Sequence, residues 1–225
     1  PLSISKILKW SGYSKKVQEN NNHNIYKLTI LGNKTEIDSI FNSNKKNDFL
    51  SVMDSLDIFR LIDIPVASFG LIKNKIEIGS IIEKIEFPVV LKINSEEISH
   101  KTEVQGVMPN IKNVQELDLA YDKLTKIHGI NGCLLQRMIK GTELIVGAKR
   151  DFDFGVTIMF GLGGIYTEVL KQVVNLVYPF TYDDFITSVK NTPIEKILSG
   201  FRGMGKIDTK KIYEVLIKVA LLMEE

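Results

Sequence analysis

The chain has 225 residues, with 29 Lys and Arg against 27 Asp and Glu, a formal net charge of +2 and 44% hydrophobic residues. That length suits one two-lobed domain or two small ones with a buried core, and the near balance of charge argues against nucleic acid or an anionic membrane as partner. No apolar run approaches a membrane span, and the opening Pro1-Leu-Ser-Ile-Ser-Lys6 lacks the apolar stretch of a signal peptide.

The single cysteine, Cys133 in an apolar setting, excludes an internal disulfide and suits a reducing compartment, so a cytoplasmic protein is expected. The chain lacks an initial Met and stops inside an apolar helical pattern at Leu221-Leu-Met-Glu-Glu225, which reads as a piece cut from something longer.

Residues 1 to 47 read as a tail or linker. Two polar runs, Asn20–Asn24 and Asn42–Asn47, flank a strand-like Ile25–Ile30 and a weak helix near Thr35 to Phe41, with His23 a solvated loop residue and Trp10 a packing anchor. From Asp48 the residues Phe49, Val52, Met53, Leu56, Ile58, Phe59 and Ile62 recur with helical spacing, and Ile64-Pro65 ends the helix. A strand or its start follows over Val66–Gly70, then a helix over Gly79–Glu86 and a strand over Phe87–Ile93 that contains Lys92. A lysine among apolar neighbours either turns to solvent or pairs with an anion.

A polar loop over Asn94–Gly106 leads to a strand over Val107–Ile111. Asn113 caps a helix from Val114 to about His128, and His128 reads as its C-terminal cap. Strands are expected over Cys133–Ile139, Thr142–Arg150, Val156–Phe160 and Val173–Phe180. Helices follow from a Thr181 cap to about Lys190, briefly from Thr192-Pro193, and from Asp208 to the end. This mixed order predicts an α+β fold with mainly antiparallel sheets. Between the strands, Gly161-Leu-Gly163-Gly164 precedes a charged segment with Glu168 and Lys171, either a phosphate-facing turn or a tight turn needing glycine for geometry alone.

The order of short motifs resembles the ATP-grasp domain of NDP-forming acyl-CoA synthetases, as in the β subunit of ADP-forming acetyl-CoA synthetase. The matching words are Pro88-Val-Val-Leu-Lys92, Ser99-His-Lys-Thr102, Leu135-Gln136, Glu143-Leu-Ile-Val-Gly147, Lys149-Arg-Asp151, Phe154-Gly155, Met159-Phe-Gly-Leu-Gly-Gly164, Glu168-Val-Leu-Lys171 and Gly200-Phe-Arg-Gly203. Any one is weak; nine in the same order, over about residues 49 to 225, are specific.

The resemblance implies an ATP-grasp domain over 48–225 with two lobes gripping a nucleotide, the small lobe over about 72–135 and the large lobe over about 48–71 and 136–225. It implies that Lys92 reaches the ATP phosphates and that the loop through Thr102 and Gly106 covers them. The backbone of Gln136 to Met138 would meet the adenine edge, and Glu143 would accept from the ribose. It implies His100 as a phosphoryl carrier, since a neutral imidazole is a competent nucleophile near pH 7, with Glu168 and Arg202 as catalytic partners. ATP or ADP and Mg²⁺ are the implied cofactors. CoA would be held by a CoA-binding domain or α subunit outside this chain. The family's Mg²⁺ carboxylates lie on two strands after the last helix, so the domain reads as C-terminally incomplete, with no metal ligand assigned and no activity expected from the fragment alone.

The pattern is departed from at Glu103 and Gln105, where Asp and Gly are usual, and at Gln172 and Asn175, where Asp and Arg are usual. These departures motivate a second reading, a nucleotide-binding or scaffolding module that keeps the fold without the chemistry. A third, a carboxylate–amine ligase, is disfavoured by His100-Lys-Thr102.

Overall fold

A computed structural model describes residues 21–44, 49–95, 104–164, 172–200 and 205–224. The chain divides into two compact units, one gathering Pro1–Ser43, Arg60–Ile64 and Thr142–Glu225, the other Asn44–Phe59 and Pro65–Gly141.

The second unit is built on a four-stranded antiparallel sheet. It comprises β1 (Phe69–Ile72), β2 (Val89–Ile93), β3 (Val107–Ile111) and β4 (Cys133–Arg137) in the order β1-β4-β2-β3. Alternation decides its two faces. Val89, Leu91, Ile93, Cys133 and Leu135 share a core with Leu117, Ala120, Tyr121 and Leu124 of a covering helix, Val114–Leu124. Asn113 caps that helix as expected, its side chain accepting from the Glu116 N–H at 2.9 Å. The helix stops at Leu124, four residues short of His128, so His128 is not its cap. Thr125, which follows directly, returns its hydroxyl to the Tyr121 carbonyl at 2.9 Å.

The helix expected from Phe49 begins at Val52 and runs to Leu61, because Ser51 takes the cap position and accepts from the Asp54 N–H at 3.1 Å. Phe49 is thereby left outside it, 85% exposed. The expected Gly79–Glu86 helix is a single 3₁₀ turn over Lys75–Glu77 followed by Ile78–Ile82.

The first unit holds the antiparallel sheet β5-β6-β7, formed by Leu144–Asp151, Gly155–Leu162 and Val173–Val177. Val156, Ile158, Phe160 and Leu162 alternate inward on the central strand, and Phe160 meets Phe185 edge-on at 5.3 Å. Phe185 belongs to the helix Tyr182–Val189, whose Thr181–Asp184 capping box is the one expected. A short helix over Pro193–Leu198 and a long one over Thr209–Glu224 complete the unit.

Residues 25–30 are not a strand. They lie inside a helix, Asn21–Gly32, followed by a second over Lys34–Ser43. The β-branched content of Ile-Tyr-Lys-Leu-Thr-Ile imitates alternation, but Tyr26, Thr29, Ile30 and Asn33 are the positions removed from solvent, a spacing that only a 3.6-residue period satisfies. Tyr26 receives the ammonium of Lys218 over its ring at 5.5 Å. Lys218, 8% exposed, also donates to the Asp63 carbonyl at 2.6 Å, so one buried lysine ties together three segments far apart in sequence. Among the described residues no helix is long and apolar enough to cross a membrane.

Candidate functional site

In the four-stranded sheet, Lys92 is the one residue of β2 that escapes burial. The register pairs Val90 with Gln136 and Lys92 with Leu134, which sets Lys92 and Gln136 on one face as diagonal neighbours. That face is opposite the helix-covered core. Lys92 Nζ donates to Gln136 Oε1 at 3.1 Å, a contact that fixes the ammonium on this face of the sheet.

The main chain expected to read adenine is partly committed elsewhere. Arg137 donates its N–H to the Ser68 carbonyl at 2.9 Å and Met138 donates to the Pro88 carbonyl at 2.9 Å, because both continue the β4 ladders. Proline has no N–H to return, so Pro88 gives nothing back to the Met138 carbonyl. The N–H groups of Arg137 and Met138 are thus committed to the sheet, and Ile139 just beyond them is 67% exposed.

Met138 itself is fixed by a contact that nothing in the sequence signalled. Asn110, at φ +60 beside the irregularity in the β2–β3 pairing, aims its N–H at the Met138 sulfur at 2.9 Å. Gly106 is buried and its carbonyl accepts from Ile93 N–H at 2.8 Å, extending the β2–β3 ladder. Gln105 beside it stands at φ +55, a left-handed backbone that suits the glycine usual at that position.

In the unit with β5-β6-β7, Glu143 immediately precedes β5, and the glycine turn closes on it. Gly163 donates to the Glu143 carbonyl at 2.8 Å. A Cβ at Gly161 would overlap the Gln172 carbonyl and Val173, and one at Gly164 would overlap the Glu143 carboxylate. Close backbone packing therefore accounts for these glycines. The Lys149-Arg-Asp151 word is structural as well. Lys149 pairs with Asp151 at 3.0 Å, and Arg150 donates to the carbonyls of Met223 and Glu224 at the end of the long helix, where a cation complements the helix dipole. Asp151 accepts from the N–H groups of Asp153 and Phe154 and shapes the turn to Gly155, at φ +75. Asn175 is exposed on β7, opposite Met159.

His100, Thr102, Glu168, Lys171 and Arg202 lie outside the described residues. Among the described residues, no three His, Cys, Asp or Glu side chains gather into a cation site.

Residues 42–225 match the ATP-grasp domain family. The chain belongs to the ATP-grasp family. This ATP-grasp chain is 34% identical over 180 residues to the β subunit of ADP-forming acetate–CoA ligase I of Pyrococcus furiosus, covering 76% of this chain and 78% of that protein. Against the ADP-forming acetate–CoA ligase I of Archaeoglobus fulgidus it is 37% identical over 176 residues, covering 75% of this chain but 26% of the ligase, so it spans about a quarter of that relative. Among solved structures it resembles the dinucleotide forming acetyl-coenzyme A synthetase 1 of Ca. Korarchaeum cryptofilum. That protein was captured with coenzyme A and Mg-AMPPCP, its phosphohistidine segment pointing towards the nucleotide binding site (TM-score 0.67, 32% identity, 84% of this chain and 83% of that one). The family resemblance read from the motifs and the antiparallel α+β architecture read from the order of elements are thus both found.

Proposed function

We propose that this ATP-grasp chain is the nucleotide-binding part of an ADP-forming acyl-CoA ligase that interconverts acyl-CoA, ADP and phosphate with free acid, CoA and ATP. The observation that carries the reading is the place of Lys92, on the sheet face opposite the helix-covered core and beside the Gln136 amide at 3.1 Å. A compact ammonium on a flexible stem suits a phosphate chain. Glu143 accepts from the ribose hydroxyls, and the Met138 carbonyl and the chain beyond it meet the adenine edge.

In the chemistry proposed, an imidazole nitrogen of His100 attacks the phosphorus of an acyl phosphate and the carboxylate leaves. A terminal oxygen of ADP then takes the phosphoryl group and frees the histidine. Thr102 and Gly106 line the phosphates, and Glu168 and Arg202 serve the transfer. A divalent cation would neutralise phosphate charge when bound; the described residues offer no cluster for it. CoA is held by a CoA-binding domain or α subunit, and the setting is the cytoplasm.

Calorimetric titration with MgATP tests this. Micromolar binding that Lys92→Ala abolishes is expected. No binding by the unmodified chain overturns the reading in favour of a scaffolding module, for which the exposed Asn175 on β7 speaks, since an amide replaces the usual arginine.

A further inference from the structure

The glycine turn and Glu143 fit each other at atomic distance. Gly163 donates to the Glu143 carbonyl at 2.8 Å, and a Cβ at Gly163 would stand 3.0–3.1 Å from the main chain of Glu143 and Leu144. Gly164, at φ +60, is next to the other end of the same residue, and a Cβ there would overlap Glu143 Oε2. The volume that a side chain at 164 would fill is where the carboxylate rests. Glu143 itself is exposed, and an exposed glutamate has several rotamers to choose from. A methyl group at 164 would remove the one seen here by pushing aside the flexible end of a side chain, and the left-handed backbone there adds strain to a residue with a Cβ.

We propose that Gly164 is a positioning residue for ribose recognition, because its missing side chain leaves the Glu143 carboxylate the place from which it accepts the hydroxyls of the nucleotide sugar. The proposal rests on the ribose role given above to Glu143. Its consequence is a specificity: preference for ribonucleotides over 2′-deoxyribonucleotides depends on a glycine that touches no substrate. A carboxylate set to receive both hydroxyls loses a charge-assisted hydrogen bond when the 2′-OH is absent, which is about a tenfold loss of affinity.

The test is calorimetric titration of the full chain with ATP and with 2′-deoxy-ATP, reading the ratio of the two affinities. The unmodified protein is expected to favour ATP about tenfold, and Glu143→Ala to bring the ratio near one. Gly164→Ala and Gly164→Asn are expected to do the same. Asparagine tolerates a left-handed backbone, so it adds the Cβ with less strain and guards against misfolding as the explanation. Adding Gly164→Asn to Glu143→Ala should change the ratio no further. A ratio that survives Glu143→Ala overturns the ribose role itself. A ratio abolished by Glu143→Ala but kept by both Gly164 variants overturns the role of Gly164 and leaves that of Glu143 standing. Equal weakening of both nucleotides by the Gly164 variants, with the ratio unchanged, overturns it too.

Discussion

The Lys92 ammonium stands 3.1 Å from the side-chain oxygen of Gln136, across the diagonal of two neighbouring strands. Lys92→Met keeps an unbranched apolar stem beside the buried Val90 and Leu134 and removes the charge. It is expected to weaken ATP binding by at least about tenfold, with a much smaller effect on the urea midpoint. Parallel losses of stability and affinity would mark Lys92 as a structural residue.

Gln105 holds φ +55, a conformation that strains a residue with a Cβ by about 1 kcal/mol or more. Glycine there removes the strain but adds freedom to the unfolded chain, about 0.5–1 kcal/mol in the opposite direction. Gln105→Gly is expected to gain a few tenths of a kcal/mol, seen as a small rise in thermal midpoint. A clear fall would mean that the glutamine side chain makes contacts worth more than the strain.

Most of the elements could be read in the sequence because most obey one period cleanly. The strand around Lys92, the Asn113 cap and the Thr181–Asp184 box were all visible in it. Residues 25–30 imitate a strand because apolar Tyr26, Leu28 and Ile30 alternate with Lys27 and Thr29 in a segment rich in β-branched residues, and the contact that decides the helix, Lys218 with Tyr26, bridges nearly two hundred residues. The same limit hid the occupied N–H groups of Arg137 and Met138. A sequence gives the residues of a ladder but not which carbonyl, Ser68 or Pro88, faces each donor. The glycines at 161, 163 and 164 allow a phosphate turn or a tight turn for geometry alone, because glycine signals close approach without saying to what; here the approach is to Gln172, Val173, Glu143 and Leu144.

The neighbours of the sheet's glycines set an order among substitutions there. At Gly161 a methyl would run into the Gln172 carbonyl and Val173 where β6 meets β7, and backbone cannot yield without breaking the pairing. At Gly147 it would lie 3.1 Å from the terminal methyl of Met159, which can swing away. Gly161→Ala is expected to cost about 2–3 kcal/mol and Gly147→Ala less than about 1 kcal/mol in urea unfolding. Equal effects would contradict the packing described for β6.

Cys133 lies at the start of β4 with no solvent exposure, and burial pushes its thiol from 9.0 up to about 11. The folded chain therefore holds this proton more tightly than the unfolded one. Its contribution is complete below pH 9 and is lost as pH climbs through 11, about 3 kcal/mol in all by linkage. Burial raises Tyr178 to about 12 and moves Tyr26, Tyr121 and Tyr213 the same way, so their contributions fall away at still higher pH and in the same sense. Urea midpoints measured from pH 7 to 11 should decline above pH 9, and Cys133→Ala should flatten the part between 9 and 10 while leaving the tyrosine-driven fall that sets in above pH 10. At pH 8 the native thiol should resist an alkylating reagent that labels the urea-unfolded chain at once. Rapid labelling of the native protein, or an alkaline profile that Cys133→Ala leaves untouched, would show that the thiol is not sealed in the core beneath the Val114–Leu124 helix.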